Sequence, residues 1–285
     1  IELSKSGDRQ LEAKWTLSQD TLYHVQLQDP QGREARASEE YLMQAIADLG
    51  PSVKITRPGH DLQPTSIEEV VMGLEGEDDV RLADLSLHYT VNGGTEHALS
   101  LPITTKPNEA GQQASATHML PLEEYSLSPG DLISYYGTAK DGEAKSATTD
   151  MFFLQVRPFE RSYTQSQSGG GGGGGQGGES SFLSEKEKEV ISATWNIQRQ
   201  KDKQTADQLA EGAKVISQAQ RDLKEQADTL AGRIGRRELD SVNDEFSGLA
   251  DNLKKGAAAM VAAADALEHQ KFQEALTPEQ TALQA

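Results

Sequence analysis

The sequence of 285 residues predicts a multi-domain chain of β plus α class: β-sandwich modules, a flexible glycine-rich linker, and an all-α amphipathic region forming a coiled coil or helical hairpin. Three observations lead there. Short apolar runs of period two, broken by turn residues, fill residues 1–158. A Ser/Gln/Gly run follows. Apolar residues at three-four spacing occupy the rest.

The first element is short. Leu11, Ala13, Trp15 and Leu17 alternate with other residues, as do Tyr23, Val25 and Leu27, and Asp29-Pro30-Gln31-Gly32 then supplies a turn. A strand-like run at 41–46 completes about half a sandwich, so 1–50 is expected to be an N-terminally truncated β-domain with an exposed edge.

Residues 51–158 carry enough strands for a whole sandwich. Val53 and Ile55 open it and Ile67 to Leu74 follows. Leu85, Leu87, Tyr89 and Val91 alternate strictly, and Leu99, Leu101 and Ile103 come next. Ala116 to Leu122, Leu132 to Ala139 and Met151 to Val156 make seven strands between Gly, Pro, Asn and Asp clusters. A three-residue loop at Asn92-Gly93-Gly94 would place Leu87 opposite Leu99 and Leu85 opposite Leu101 on one buried face. A two-residue loop would split those partners between faces.

Residues 159–180 are expected to be the linker, with seven consecutive glycines at 169–175. A phosphate-binding loop needs a Lys-Ser/Thr directly after the glycines; the next lysine is Lys186. The span 166–181 should therefore carry no regular structure, and the halves it joins should move independently.

The region 181–285 reads as helical. Ser184-Glu185-Lys186-Glu187 has capping-box form, with Leu183 as a hydrophobic staple. Leu209, Ile216, Leu223 and Leu230 recur every seven residues beside Ala206, Ala213, Ala227 and Ile234; Gln220 interrupts the second series. Gly232, Gly235 and Arg236-Arg237 suggest a break. A second stripe follows through Leu239, Val242, Phe246, Leu249, Leu253, Ala257, Met260, Ala264 and Leu267. Thr277-Pro278 then predicts a new helix with Thr as N-cap. The stripes could pair with each other as an antiparallel hairpin, the favoured arrangement, or with another chain.

Two resemblances add to this. The string PSVKITRPG, followed by IEEVVMGLEGEDDVRLADLSLHYTVNGG, resembles a bacterial Ig-like surface module. Across the whole chain, YYGTAKDG, SATTDMFFLQVRPFERSY, EKEKEVISATWNIQRQK, QAQRDLKEQADTL and AAADALEHQKFQEALTPEQTALQ resemble an uncharacterised family of large bacterial envelope proteins. Those proteins have N-terminal membrane helices, Ig-like extracytoplasmic modules, a Gly/Gln-rich tether and a helical C-terminal region. The resemblance implies an extracytoplasmic location in the envelope on the periplasmic side, with a parent anchored in the inner membrane. It implies no chemistry. Both ends of the sequence read as cut within that longer architecture.

Charge narrows the partners. The net charge is −18, and residues 1–158 hold 12 Lys and Arg against 25 Asp and Glu. Such a surface repels phosphate backbones and anionic headgroups, so neither nucleic-acid binding nor membrane contact by this stretch is expected. Cysteine is absent, which removes thiol catalysis and zinc–thiolate sites.

Candidate chemistry is sparse. His24, His60, His88, His97, His118 and His269 form no metal-ligand spacing, and there is no GxSxG elbow. The acidic run Glu75, Glu77, Asp78 and Asp79, with Asp84 and Asp141, is the best cation candidate but lacks a calcium-loop spacing; a solvated turn is favoured. Tyr135-Tyr136 and Trp15 could form a ligand platform, although one of two adjacent strand tyrosines must face the core. No catalytic, cofactor-binding or metal-binding residue is assigned and no cofactor is expected. The function read from the sequence is a non-enzymatic structural or protein-interaction component, its partner a protein, with self-association through the helices possible. The alternatives are a carbohydrate- or peptide-binding module, and an accessory region of an envelope enzyme whose catalytic part lies elsewhere.

Overall fold

The structure, a computed structural model, describes residues 4–5, 11–108, 111–158, 176–238 and 244–285. It divides into two compact units, Ile1–Leu49 and Gly50–Ala285.

The first unit contains β1 (Ser4–Lys5), β2 (Leu11–Glu12), β3 (Thr21–Tyr23), β4 (Gln26–Gln28), β5 (Glu34–Arg36) and β6 (Tyr41–Met43). They pair as three two-stranded antiparallel ladders, β1 with β2, β3 with β6 and β4 with β5. The Asp29 turn forms where its residues place it. Asp29 Oδ1 accepts from the backbone N–H groups of Gln31 and Arg33, and Gly32 takes a positive φ of 80°. None of the described side chains from 11 to 49 is buried.

The second unit begins with β7 (Ser52–Arg57), β8 (Glu69–Asp78), β9 (Leu82–Val91), β10 (His97–Ser100), β11 (Thr104–Asn108), β12 (Gly111–Pro121), β13 (Leu132–Asp141), β14 (Ser146–Thr148) and β15 (Phe152–Gln155). One antiparallel sheet runs β10-β9-β13-β14, with β15 also on β13; the other runs β11-β12-β8-β7. The two close over one apolar core that includes Met72, Leu74, Leu85, Leu87, Leu120, Ile133, Tyr135 and Leu154.

The hairpin register is the expected one. Leu87 pairs with Leu99, His97 with Tyr89, and the Leu101 N–H donates to the Leu85 carbonyl at 2.8 Å. Leu87 is fully buried and Leu99 half-buried. Asn92 and Gly93 carry φ of 51° and 65°, and the Gly94 N–H closes the turn onto the Val91 carbonyl.

Strands β11 and β14 add to the seven expected from the sequence. The expected strand from Ile67 starts two residues later, leaving Ile67 exposed. The acidic run is a turn only at its end. Glu75, Glu77 and Asp78 lie inside β8 and pair with β12, while Asp79 lies in the bend between β8 and β9, which Asp78 caps.

Four helices follow: α1 (Gln176–Arg199), α2 (Ala206–Glu238), α3 (Asp244–Glu268) and α4 (Phe272–Gln284). The stripes of α2 and α3 do pair within the chain. Ile216, Leu223, Ala227, Leu230 and Ile234 share a core with Ala250, Ala257, Met260 and Leu267. Helix α3 begins soon after α2 ends at Glu238, and an Arg221–Glu268 ion pair at 2.6 Å brings its far end back to the middle of α2, so the two run antiparallel. Helices α1 and α4 complete the array, contributing Leu183, Val190, Phe272, Ala275 and Ala282 to the same core.

Four expectations change here. Helix α1 begins at Gln176, inside the expected linker 159–180, so Ser184 caps nothing; it lies within the helix and its hydroxyl donates to the Ser180 carbonyl. Helix α2 continues through Gly232 and Gly235 to Glu238, since neither glycine meets another element and helix geometry tolerates both. Helix α4 starts at Phe272, and Pro278 sits within it rather than opening it. The sheets and the helices also belong to one unit, which removes the expected independence of the two halves. Residues 159–175, with the glycine run, and 239–243, with Leu239 and Val242, lie outside the described residues. No described helix is long and apolar enough to cross a membrane.

Candidate functional site

The helices dock on the outer face of β13 and β15. Along β13, Ile133 and Tyr135 point into the β core, so period two turns Leu132, Ser134 and Tyr136 outward. A separate apolar cluster forms there from Leu132, Met151 and Phe153 of the sheet with Ile191 and Trp195 of α1 and Leu276 and Leu283 of α4. Helices α1 and α4 each present two apolar faces. Leu183 and Val190 face the helical core while Ile191 and Trp195 face the sheet; Ala275 and Ala282 repeat this against Leu276 and Leu283.

Polar contacts fix the seam. Trp195 Nε1 donates to the Thr149 carbonyl at 2.9 Å, and Arg199 reaches the Thr148 carbonyl and the Asp150 carboxylate. Thr90 Oγ1 donates to Gln280 Oε1 at 2.9 Å, Gln284 Nε2 donates to Asp131 Oδ1 at 3.2 Å, and Lys188 lies 3.6 Å from Asp61.

Beside Trp195 lies a small aromatic–acidic group. The His88 and Tyr136 rings stack at 4.7 Å and 6°, and Trp195 packs on Tyr136 at 4.3 Å. Glu96 accepts from Tyr136 Oη at 2.8 Å and from His88 Nδ1 at 3.1 Å. The His88 bond, with help from Tyr136, holds the Glu96 carboxyl below the usual range, while burial raises the Tyr136 phenol above its own. A cavity of about 190 Å³ opens here, lined by Thr90, Ser134, Tyr136, Trp195, Gln273 and Gln280.

The structure separates the residues singled out from sequence. Tyr135 is core, its hydroxyl donating to the His60 carbonyl; Tyr136 is at the seam with its ring committed to two neighbours; Trp15 is in the other unit. His88 is a hydrogen-bonded strand residue, and His97 stacks on Tyr89. Glu75 pairs with Lys54 at 3.0 Å and Glu77 accepts from Gln113. Asp78 Oδ2 accepts from the N–H groups of Val80 and Arg81, Asp84 accepts from Ser86 and Ser100, and Asp141 Oδ1 accepts from Glu143 and Lys145. These acids cap turns and link strands. Among the described residues no three His, Cys, Asp or Glu side chains converge to hold a metal ion.

A second polar group was missed by sequence reasoning. Glu187, Thr194, Gln220 and Glu279 are all essentially fully buried among the helices. Gln220 Nε2 donates to Glu187 Oε1 at 2.8 Å, and Thr194 Oγ1 donates to Glu279 Oε1 at 2.7 Å. Burial pushes the Glu187 carboxyl up to about 7 and that of Glu279 well above its ordinary value, the neighbouring Glu187 adding to the second. The available signal was the interruption of the Ala206–Ala213–Ala227 series by Gln220.

No protein-family model matches the chain, and no curated protein matches it. Among solved structures, a family 56 carbohydrate-binding module that binds β-1,3-glucan is 16% identical, covering 37% of this chain and 98% of its own, with a TM-score of 0.19. Astrotactin-2, a vertebrate-specific perforin-like membrane protein, is 10% identical over 75% of this chain and 39% of its own, with a TM-score of 0.27. A Niemann-Pick type C2 protein from the Japanese carpenter ant is 6% identical over 39% and 92%, with a TM-score of 0.23. Scores this low carry neither a fold assignment nor a function.

Proposed function

We propose that this chain is a non-enzymatic structural or protein-interaction component of the bacterial cell envelope. In this reading Ig-like β-modules act as extracytoplasmic spacers, the helical array is fastened to one of them, and the parent is anchored in the inner membrane. The observation that carries the interaction reading is the Ile1–Leu49 unit. It displays Leu11, Leu22, Leu27, Leu42, Ile46 and Leu49 at 58–89% exposure, and Trp15, Tyr23 and Tyr41 form a ring cluster with centroids 6.5 and 5.4 Å apart. So many large apolar groups on 49 residues are the mark of a surface meant to be covered. The helical stripe, the expected place of self-association, is spent on internal packing, so the partner surface moves to this unit.

Photo-crosslinkers at Leu42 and, for contrast, at the exposed helical Val215 test the reading in host cells expressing the parent protein. Protein adducts from position 42, recovered in the envelope fraction, are expected. Adducts from position 215 alone, or recovery in the cytosol, would overturn it.

The cavity at the seam supports a second reading, a small-ligand module, because hydroxyls of Thr90 and Ser134 and the amides of Gln273 and Gln280 line it beside Trp195. Calorimetric titration with soluble oligosaccharides and short peptides separates the two: heat lost on Trp195→Phe would favour the ligand reading.

A further inference from the structure

The interior of the helical array has more hydrogen-bond acceptors than donors. Glu187 on α1 and Glu279 on α4 are 1% and 0% exposed. The donors that reach them are the neutral Gln220 amide and Thr194 hydroxyl. Glu187 Oε2, Glu279 Oε2 and Gln220 Oε1 remain buried with no donor. Leaving three such oxygens unmatched is costly, and leaving two of them charged is more so.

The cations of the surrounding helices are paired elsewhere or, like Lys214, Arg233, Arg236 and Lys255, lie exposed. On α1, Lys186 pairs with Glu189, Lys188 with Asp61 and Glu185, and Arg199 with Asp150. On α2, Arg221 pairs with Glu268 and Lys224 with Asp228; on α3, Lys254 pairs with Asp251. Helix α3 contributes Ala257, Met260, Ala263 and Ala264 to the interior, and Lys271, just before α4, pairs with Glu274. From the sheet side, the seam acids Asp61, Asp131 and Asp150 are each bonded to a helix side chain, Lys188, Gln284 and Arg199. The charged neighbour that acts on Glu279 is Glu187 itself.

Two protons correct the count. A protonated carboxyl is both donor and acceptor, so each added hydrogen removes a charge and supplies a donor beside an unmatched oxygen. We infer that Glu187 and Glu279 form a buried proton-binding site that locks the helices onto the β-sheet and loosens them as pH rises. The coupling is short in sequence and space. Thr194 precedes Trp195, whose indole holds the Thr149 carbonyl, and Glu279 precedes Gln280, which bonds Thr90. Charging the pair drives α1 and α4 apart at the two positions that clamp the sheet. A folded carboxyl held above the unfolded value keeps its full stabilisation below about 4.5 and loses it as pH rises through 7 and beyond.

The test uses the full chain in a metal chelator, with Trp15→Phe leaving Trp195 as the one tryptophan reporter. Between pH 5 and 8.5 the Tm should fall by roughly 5–10 °C, and Trp195 emission should shift to the red before global unfolding. In E187Q/E279Q, which mimics the protonated pair, the Tm should hold steady across that range. A flat profile in the parent, an undiminished slope in the double variant, or calcium or magnesium restoring the Tm at pH 8 would each overturn the inference. Should the double variant fail to fold, side-chain carboxyl NMR of the unaltered glutamates decides instead. Two resonances titrating near or above 7 support the site; all glutamates titrating between 4 and 5 remove it.

Discussion

Between the two sheets the large, fully buried side chains include Tyr135, Met72, Leu74, Leu85, Leu87, Leu120, Ile133 and Leu154, and the Tyr135 hydroxyl reaches a carbonyl. Among the helices, Ile216, Leu223, Ala263 and Leu267 share the interior with Glu187, Thr194, Gln220 and Glu279. The first interior depends on packing, with no buried carboxylate in its apolar cluster. The second is less stable than an apolar equivalent would be, and its stability depends on protonation. The β-module is thus the fixed frame and the helical array the conditional part. Their shared seam carries the distinction, since it is apolar at Ile191, Leu276 and Leu283 and polar at Trp195 and Gln280.

Four substitutions probe that contrast. The largest effect is expected from Leu223→Asp, which places an unpaired charge in the α2–α3 interior; a loss on the order of 5 kcal/mol should melt the helices, with mass in solution unchanged. Dissociation of an oligomer, seen by light scattering, would mean the stripe serves another chain. Trp195→Ala removes the ring against Tyr136 and the bond to Thr149. It should cost about 3–5 kcal/mol and make helices and sheet unfold in separate steps, visible in a calorimetric scan. A single transition at lower temperature would instead show that the seam is not where the two parts divide. Leu87→Ala, inside the β core, should cost about 3 kcal/mol with the pH profile of the parent, because no carboxyl or histidine belongs to that apolar cluster. Arg221→Ala deletes a half-exposed ion pair and should change urea stability by less than about 1 kcal/mol.

Local order in the β half was legible. Strict alternation from Leu85 to Val91 and the Asn-Gly-Gly loop set a register that the ladder reproduces, since a one-residue slip would expose every leucine on it. The seven-residue spacing from Leu209 to Leu230 likewise marked a buried face. The docking of helices on sheet was harder, because period analysis asks which face of an element is apolar and stops at one. The signal lay in residues apolar on both faces: Leu132-Ile133 and Tyr135-Tyr136, Phe153-Leu154, and Val190-Ile191 of α1. Capping rules misled for a related reason. The Ser184–Glu187 spacing suits a helix start, but Glu187 turns inward as a core acid. The reciprocal cap that does form, with Thr205 accepting from the Gln208 N–H and the Gln208 side chain accepting from Thr205, opens α2.

Gly93 sits at the tip of the β9–β10 hairpin, and a Cβ there would fall 2.8 Å from the Thr277 carbonyl of α4. The turn forms from neighbours in sequence, whereas its contact with α4 closes across most of the chain. Local hairpins form in microseconds and contacts between distant segments form far more slowly. The seat for α4 is therefore expected to exist before its occupant arrives, so that the sheet acts as a template on which the last helix is cast. A side chain added at Gly93 should then slow both phases, the early one because φ 65° disfavours any other residue in the turn and the last one because its Cβ meets Thr277.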